Sequence, residues 1–148
     1  GFGHHPYFVK PAGPDGPLLQ IPCENYFVLE EYLAKHAPQP LPPRLNFREV
    51  RPLGDAEIND LLTTRIGNEP ARILYPRWNT TVTLHSDELF AHWVLYAPPG
   101  QPFFALEPQT NANDGFNLYD QHIPGSGVFV LQPGEAQEAL FSLEISRI

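Results

Sequence analysis

Residues 140–148, Leu-Phe-Ser-Leu-Glu-Ile-Ser-Arg-Ile, alternate apolar and polar side chains. Phe141, Leu143 and Ile145 fall on one face of an extended chain, and polar residues separate them. A period of two is typical of a β-strand with one buried face. We therefore expect residues 140–148 to form a half-buried antiparallel strand.

Short apolar or alternating runs recur along the rest of the chain. They cover residues 7–9, 18–21, 26–29, 71–75, 81–85, 92–96, 103–106 and 127–131. Turn sequences such as Pro98-Pro99-Gly100 and Asn113-Asp114-Gly115 lie between them, because these residues preset or tolerate the backbone angles of tight turns. Many short strands joined by turns predict an all-β sandwich or barrel.

Two segments are predicted as short helices, residues 29–36 and 56–64. Neither contains Pro or Gly, and both carry helix-forming residues. Asp55 is a suitable N-cap for the second segment. The proline-rich residues 38–43 are expected to form a stiff surface loop within one domain.

Composition suits one soluble globular domain. The chain has 148 residues, of which 42% are hydrophobic and 18% charged, so it can bury a core and is not a disordered chain. Its 18 prolines and 11 glycines argue against long helices.

Charge and cysteine content restrict the partners and the compartment. Nine basic and 17 acidic residues give a net charge of −8, which disfavours nucleic acid and anionic membranes as partners. Cys23 is the only cysteine, so no internal disulfide can form and we expect a cytoplasmic protein. No apolar run approaches the ~18 residues of a membrane span. Residues 1–8 have the pattern of a strand interior, so we expect a segment to precede them.

The segment His4-His5-Pro6-Tyr7-Phe8 carries the first candidate for chemistry. Proline favours extended backbone at the preceding residue, so His5 is expected on a strand. An imidazole titrates near neutral pH and suits a general acid. The alternative is a histidine that merely hydrogen-bonds neighbouring backbone.

A second candidate is Glu107, which closes the apolar run Phe103-Phe104-Ala105-Leu106 just before Pro108. Charged side chains are seldom buried without a partner. Glu107 is therefore at a rim, in an ion pair, or a catalytic base whose pKa burial raises. Residues 109–117 that follow are rich in amide and hydroxyl groups, which suit a polyhydroxylated ligand or a plain turn-rich loop.

Metal and nucleophile chemistry receive little support from the sequence. The six histidines show no metal-binding spacing, and adjacent His4 and His5 on a strand would point to opposite faces. Ser126 lies in a Gly-Ser-Gly turn rather than a nucleophile elbow. We expect neither a metal nor any other cofactor.

Two motifs together resemble one known family. The first is Gly3-His4-His5-Pro6-Tyr7-Phe8, and the second is Leu106-Glu107-Pro108-Gln109-Thr110 followed by Asp114-Gly115-Phe116-Asn117. In order and separation they are similar to motifs of the aldose 1-epimerases, or galactose mutarotases, and of the related hexose-6-phosphate epimerases. Weaker agreement within residues 46–61 and 126–135 extends the resemblance over nearly the whole chain.

The resemblance implies a large antiparallel β-sandwich, the galactose mutarotase-like supersandwich. Members of the family are longer and carry further strands, with a sugar-binding arginine, before the His-Pro-Tyr-Phe motif. Residues 1–148 are thus expected to be the C-terminal part of a single such domain. Unpaired edges and an exposed core face should result. The missing N-terminal strands are expected from a preceding segment or from another chain.

The resemblance also implies an isomerase that interconverts the α and β anomers of an aldose. His5 falls on the family's general acid and Glu107 on its general base. Glu107 would take the proton of the anomeric hydroxyl while His5 protonates the ring oxygen, and rotation about the C1–C2 bond before reclosure gives the other anomer. Two groups that exchange protons need no cofactor and no covalent intermediate.

Substrate binding is implied for Asn59 and Asp60, where the family usually has Asp at the position of Asn59. An amide can hydrogen-bond a sugar hydroxyl, although an Asn-Asp pair on the surface of a helix is the plain alternative. Galactose, glucose and a hexose phosphate all remain open, and a phosphorylated sugar would need arginines at the pocket mouth. Two rival functions are a non-catalytic carbohydrate-binding protein on the same fold and a metal-dependent cupin-like barrel.

Overall fold

Short antiparallel strands make up most of the regular structure. The computed structural model describes residues 1–148, apart from the side chain of Pro14. The strands are β1 Tyr7–Val9, β2 Leu18–Gln20, β3 Cys23–Phe27, β4 Leu29–Glu30, β5 Leu33–Ala34, β6 Gln39–Pro40, β7 Arg51–Pro52, β8 Ile58–Arg65, β9 Ala71–Tyr75, β10 Thr80–Ser86, β11 His92–Ala97, β12 Phe103–Gln109 and β13 Phe141–Ser146. One α-helix, α1, spans Gly115–Asp120, and 3₁₀ turns span Gly13–Asp15, Pro43–Leu45 and Pro76–Trp78.

Two sheets pack face to face. The six-stranded sheet has the order β1-β12-β11-β8-β3-β6, and the five-stranded sheet has the order β13-β10-β9-β2-β7. Strands β4 and β5 form a separate hairpin. The all-β prediction is confirmed, with antiparallel pairing throughout the named sheets.

The main core lies between the two sheets. Leu62, Trp93 and Phe104 of the six-stranded sheet pack in one cluster with Ile73 and Leu84 of the five-stranded sheet. Side chains alternate along a strand, so the intervening residues of the six-stranded sheet reach its outer face. That outer face carries a second, smaller cluster that includes residues of the β4–β5 hairpin and of α1.

Most predicted strands are confirmed within one to three residues at each end. Both predicted helices are wrong. Residues 56–64 belong largely to β8, which pairs with β3 and β11, and the hydrogen bonds of a central strand outweigh a weak helix propensity. Asp55 accordingly caps no helix. Residues 29–36 form the β4–β5 hairpin, whose turn residues Glu31 and Tyr32 have positive φ of 50° and 68°.

Other boundaries differ from the sequence expectations. Residues 127–131 join neither sheet, and α1 lies where a polar loop was expected. Part of the expected proline-rich loop forms β6, which is an edge strand where the missing N–H of Pro40 is tolerated. None of the described helices is long and apolar enough to cross a membrane.

Strand β13 has the expected alternation but not the expected burial. It is an edge strand paired with β10 alone, and Leu143 and Ile145 are 47% and 74% exposed. Their cross-strand partners Leu84 and Val82 are buried. The apolar face of the five-stranded sheet therefore continues past the covered core.

Candidate active site

The register of the six-stranded sheet brings His5 and Glu107 together. Glu107 of β12 lies opposite Val94 of β11, which lies opposite Leu61 of β8. On its other side β12 pairs with β1, and the register of Tyr7 with Ala105 places His5 beside Glu107. The His5 Nε2 atom lies 3.2 Å from Glu107 Oε1. The two candidate proton-transfer groups are thus neighbours on the outer face of the sheet.

Both carboxylate oxygens of Glu107 contact a polar side chain, one through an ion-pair contact and the other through a hydrogen bond. Its side chain is only 5% exposed. His5 contacts Oε1, and Gln109 Nε2 donates to Oε2 over 3.2 Å. Burial raises the pKa of Glu107, while the nearby His5 and the Gln109 hydrogen bond partly oppose that rise. Of the three alternatives for Glu107, burial excludes the rim position, and the contact with His5 is the one expected of an ion pair.

His5 is more accessible than its partner. Its side chain is 53% exposed, and its ring stacks on Tyr7 with centroids 4.7 Å apart and planes 16° apart. His4 points to the other face, where its ring stacks on Phe141 at 5.0 Å. The expected opposite orientation of the two histidines is confirmed. Stacking fixes the plane of the His5 imidazole, so one ring nitrogen meets Glu107 while solvent reaches the ring.

The structure separates Asn59 from Asp60. Asn59 lies on the same face as Glu107, two strands away, or about 10 Å across the sheet at the usual strand spacing. It is exposed, beside Tyr96 in the neighbouring row. Both residues sit on β8, so the alternative of a helix surface is wrong.

Asp60 points to the opposite face and is 8% exposed. Its two carboxylate oxygens accept hydrogen bonds of 2.6 and 2.7 Å from Arg44, which lies in a 3₁₀ turn. Such bidentate pairs are geometrically specific and among the stronger ion pairs. The structure therefore does not bring Asp60 to the row of His5 and Glu107.

Six of the seven arginines of the chain, the residue type that a phosphorylated sugar would need, are engaged elsewhere. Their partners are Asp60 for Arg44, Asn46 for Arg48, the Pro43 carbonyl for Arg51, backbone carbonyls at residues 86–90 for Arg65, Gln20 for Arg72 and Asp15 for Arg77. None of these contacts involves His5 or Glu107.

Much of the polar segment after Glu107 supports the fold rather than facing solvent. Thr110 is fully buried, and its hydroxyl accepts a 2.8 Å hydrogen bond from the Phe2 amide. Asn113 donates to the Tyr32 carbonyl, which ties this segment to the β4–β5 hairpin. Gln109 is the member of the segment that contacts a candidate catalytic group.

Sequence reasoning did not single out His92, a buried residue next to this site. It lies opposite Gln109 on β11, is 1% exposed, and its Nδ1 is 2.9 Å from Thr63 Oγ1. Burial lowers its pKa to about 4, and its Nε2 atom has no hydrogen-bond partner among the described residues. A cavity of about 500 Å³ is lined partly by His92 and Thr63. The sequence pattern of residues 92–96 predicted that His92 lies on a strand, but it did not predict that the side chain is buried.

Metal coordination finds no geometric support in the described chain. No group of three or more His, Cys, Asp or Glu side chains among the residues that the structure describes is arranged to hold an ion.

Comparison with solved structures identifies the fold. A predicted aldose 1-epimerase from Escherichia coli K12 matches 99% of this chain with 25% sequence identity and a TM-score of 0.79. A galactose mutarotase-like protein from Clostridium acetobutylicum matches 99% with 19% identity and a TM-score of 0.67. An aldose epimerase homologue from C. elegans matches 89% with 13% identity and a TM-score of 0.72. No family model matches the chain.

The chain is therefore a galactose mutarotase-like β-sandwich. Its structural neighbours include aldose 1-epimerase-like and galactose mutarotase-like proteins, which confirms the resemblance seen in the motifs. The chain spans about half the length of these proteins, between 46% and 50% of each.

Proposed function

We propose that the chain carries the acid–base pair of an aldose 1-epimerase, with Glu107 as base and His5 as acid. The supporting observation is the contact between a buried carboxylate and a half-exposed imidazole, 3.2 Å apart. The anomeric hydroxyl oxygen and the ring oxygen of a sugar are bonded to the same carbon. Two proton-transfer groups that lie side by side can therefore serve both oxygens at once.

The reaction is a pair of proton transfers. Glu107 accepts the proton of the anomeric hydroxyl, and His5 gives its Nε2 proton to the ring oxygen as the C1–O bond to that oxygen breaks. The open-chain aldehyde turns about its C1–C2 bond. The transfers then run in reverse on the other face of the carbonyl, so both residues regain their starting states. Burial raises the pKa of Glu107, which makes it a stronger base than an exposed carboxylate.

Asn59 is the proposed contact to a sugar hydroxyl on this face. Its amide can donate and accept, so it fits a neutral hydroxyl group. Asp60 has no such role in this proposal, because both of its oxygens bind Arg44. The substrate class is a small unmodified or phosphorylated aldose.

We also propose that residues 1–148 are the C-terminal part of one mutarotase-like domain. Strands β1 and β13 are edges of their sheets, and both carry exposed apolar side chains. An unpaired apolar edge is a site for further strands. The proposed N-terminal strands would come from a preceding segment or from another chain.

Anomer exchange measured by saturation-transfer NMR tests the catalytic proposal. Galactose, glucose and glucose 6-phosphate would be offered to the chain and to its Glu107→Gln variant. The matched control is Glu144→Gln, because Glu144 makes the same 3.2 Å contact with His85 but is 67% exposed. Exchange should persist in the control and disappear with Glu107→Gln.

Two results would count against the proposal. Exchange that survives Glu107→Gln would remove Glu107 from the chemistry. Sugar binding without exchange, in a sample that includes the strands proposed to precede residue 1, would favour the alternative of a non-catalytic carbohydrate-binding protein.

A further inference from the structure

A buried lysine outside the candidate active site lacks a strong partner. Lys10 follows β1 and is 6% exposed. Its Nζ makes no hydrogen bond to any residue that the structure describes. The nearby carboxylate is Asp55 Oδ1 at 3.7 Å, on a side chain that is 88% exposed. An ion pair with such an exposed partner contributes little, whereas a buried ammonium is costly to leave unpaired.

Lys10 also lines a cavity with apolar walls. The cavity has a volume of about 390 Å³ and is bounded by Val9, Pro102 and Trp78 as well as by Lys10 and Asp55. This volume lies in the usual range of ligand pockets, about 300–1,000 Å³. The lining thus combines one cation that lacks a strong partner with an aromatic and aliphatic wall.

The aromatic wall is held in place by the fold. Trp78 is 47% exposed, and its ring lies 4.9 Å from the ring of Tyr75. The Tyr75 hydroxyl donates a 2.9 Å hydrogen bond to the Val9 carbonyl, next to Lys10. A ring that enters the cavity would meet an indole whose position is fixed relative to the lysine.

We propose that this cavity binds a small organic carboxylate whose ring has an apolar face. The carboxylate would pair with Lys10 in place of Asp55, and the ring would pack against Trp78 and Pro102. Asp55 would move to solvent, where its side chain already lies. The cavity lies beyond the C-terminal end of β1, whereas His5 precedes this strand, so the inference does not require the proposed catalytic roles of His5 and Glu107.

The test uses cyclohexanecarboxylate, which has the ring and the charge but no anomeric centre. The chain contains two tryptophans, so each indole N–H gives its own NMR signal. The probe should shift the Trp78 signal and leave that of fully buried Trp93 unchanged. Acetate and cyclohexanol, which carry only the charge or only the ring, should shift it much less at equal concentration.

Two substitutions of opposite sign complete the test. Lys10→Met keeps the side-chain length, should fold because an apolar group replaces a buried charge, and should weaken binding about tenfold or more. Asp55→Asn should tighten binding about two- to fivefold, because a competing exposed charge is lost. The proposal is overturned by equal affinity in Lys10→Met and wild type, by weaker binding in Asp55→Asn, or by no Trp78 shift up to about 50 mM probe.

Discussion

Acidification should destabilise this fold through one buried imidazole. His92 is 1% exposed, and its Nδ1 lies 2.9 Å from the Thr63 hydroxyl. Its ring meets the Phe27 ring edge to face at 5.9 Å. Burial among these groups lowers the pKa of His92 from 6.5 to about 4. The folded protein therefore keeps His92 neutral at pH values where an unfolded chain would protonate it.

The sign and size of the effect follow from proton linkage. Between pH 6.5 and about 4 the unfolded state binds more protons than the folded state, so the free energy of unfolding falls as the pH falls. The contribution is complete above this window and lost below it. A gap of about 2.5 pKa units is worth about 3 kcal/mol. That is a large share of the roughly 5–15 kcal/mol that stabilises a typical domain.

Urea unfolding at a series of pH values from about 7.5 to 3.5 measures this contribution. His92→Gln is the informative variant, because its amide can still bond the Thr63 hydroxyl and does not titrate. Other acid-sensitive groups are common to both proteins, so they cancel in the difference between the two curves. His36→Gln is the control, because His36 follows the β4–β5 hairpin and its side chain is 69% exposed. Parallel curves for wild type and His92→Gln through this window would refute the reasoning.

Three further predictions concern the candidate site and its support. Burial raises the pKa of Glu107, so ionisation of this carboxyl lowers the free energy of unfolding as the pH rises through that pKa. Glu107→Gln should therefore raise the melting temperature at pH 7 and have little effect in acid. Equal shifts of the melting temperature at both pH values would contradict this. Gln109→Leu removes a hydrogen bond to the carboxylate and should raise the pKa of Glu107 further, as read by carboxyl ¹³C titration; an unchanged midpoint would count against it. Gly127 has φ +67°, and a Cβ there would lie 2.0 Å from the Thr110 carbonyl oxygen. Gly127→Ala should therefore cost about 2 kcal/mol or more in denaturant unfolding. Gly134→Ala, where φ is positive but the space is open, should cost less, and equal costs would show that the close approach is unimportant.

The strand content was predictable from sequence because turns and alternation are local signals. The pairing of β8 was not, because Ile58, Leu61 and Leu62 are buried on both faces of a central strand and show no period of two. The positive φ values at Glu31 and Tyr32 are similarly invisible to a propensity argument, since neither residue type favours such a turn. Long-range pairing with β3 and β11 decided the conformation of β8, and distant hydrogen bonds with Asn113 support the local β4–β5 hairpin.

The candidate site was predictable in part. The types and order of His5 and Glu107 followed from motifs, but their contact depends on the register of β1 against β12. Adjacent residues on a strand face opposite ways, so Asn59 and Asp60 could not share one site once their segment proved to be β8. The Arg44 partner of Asp60 comes from a 3₁₀ turn 16 residues away, and no sequence pattern indicated it.

Residues 1–148 enclose the side chain of Glu107 more completely than that of His5. Glu107 lies on β12 between β1 and β11, and its 5% exposure is set by neighbours within residues 1–148. His5 precedes edge strand β1 and is 53% exposed. A further strand at this edge would cover the imidazole. Because His5 also acts on the pKa of Glu107, covering the imidazole would change the surroundings of both proposed proton-transfer groups.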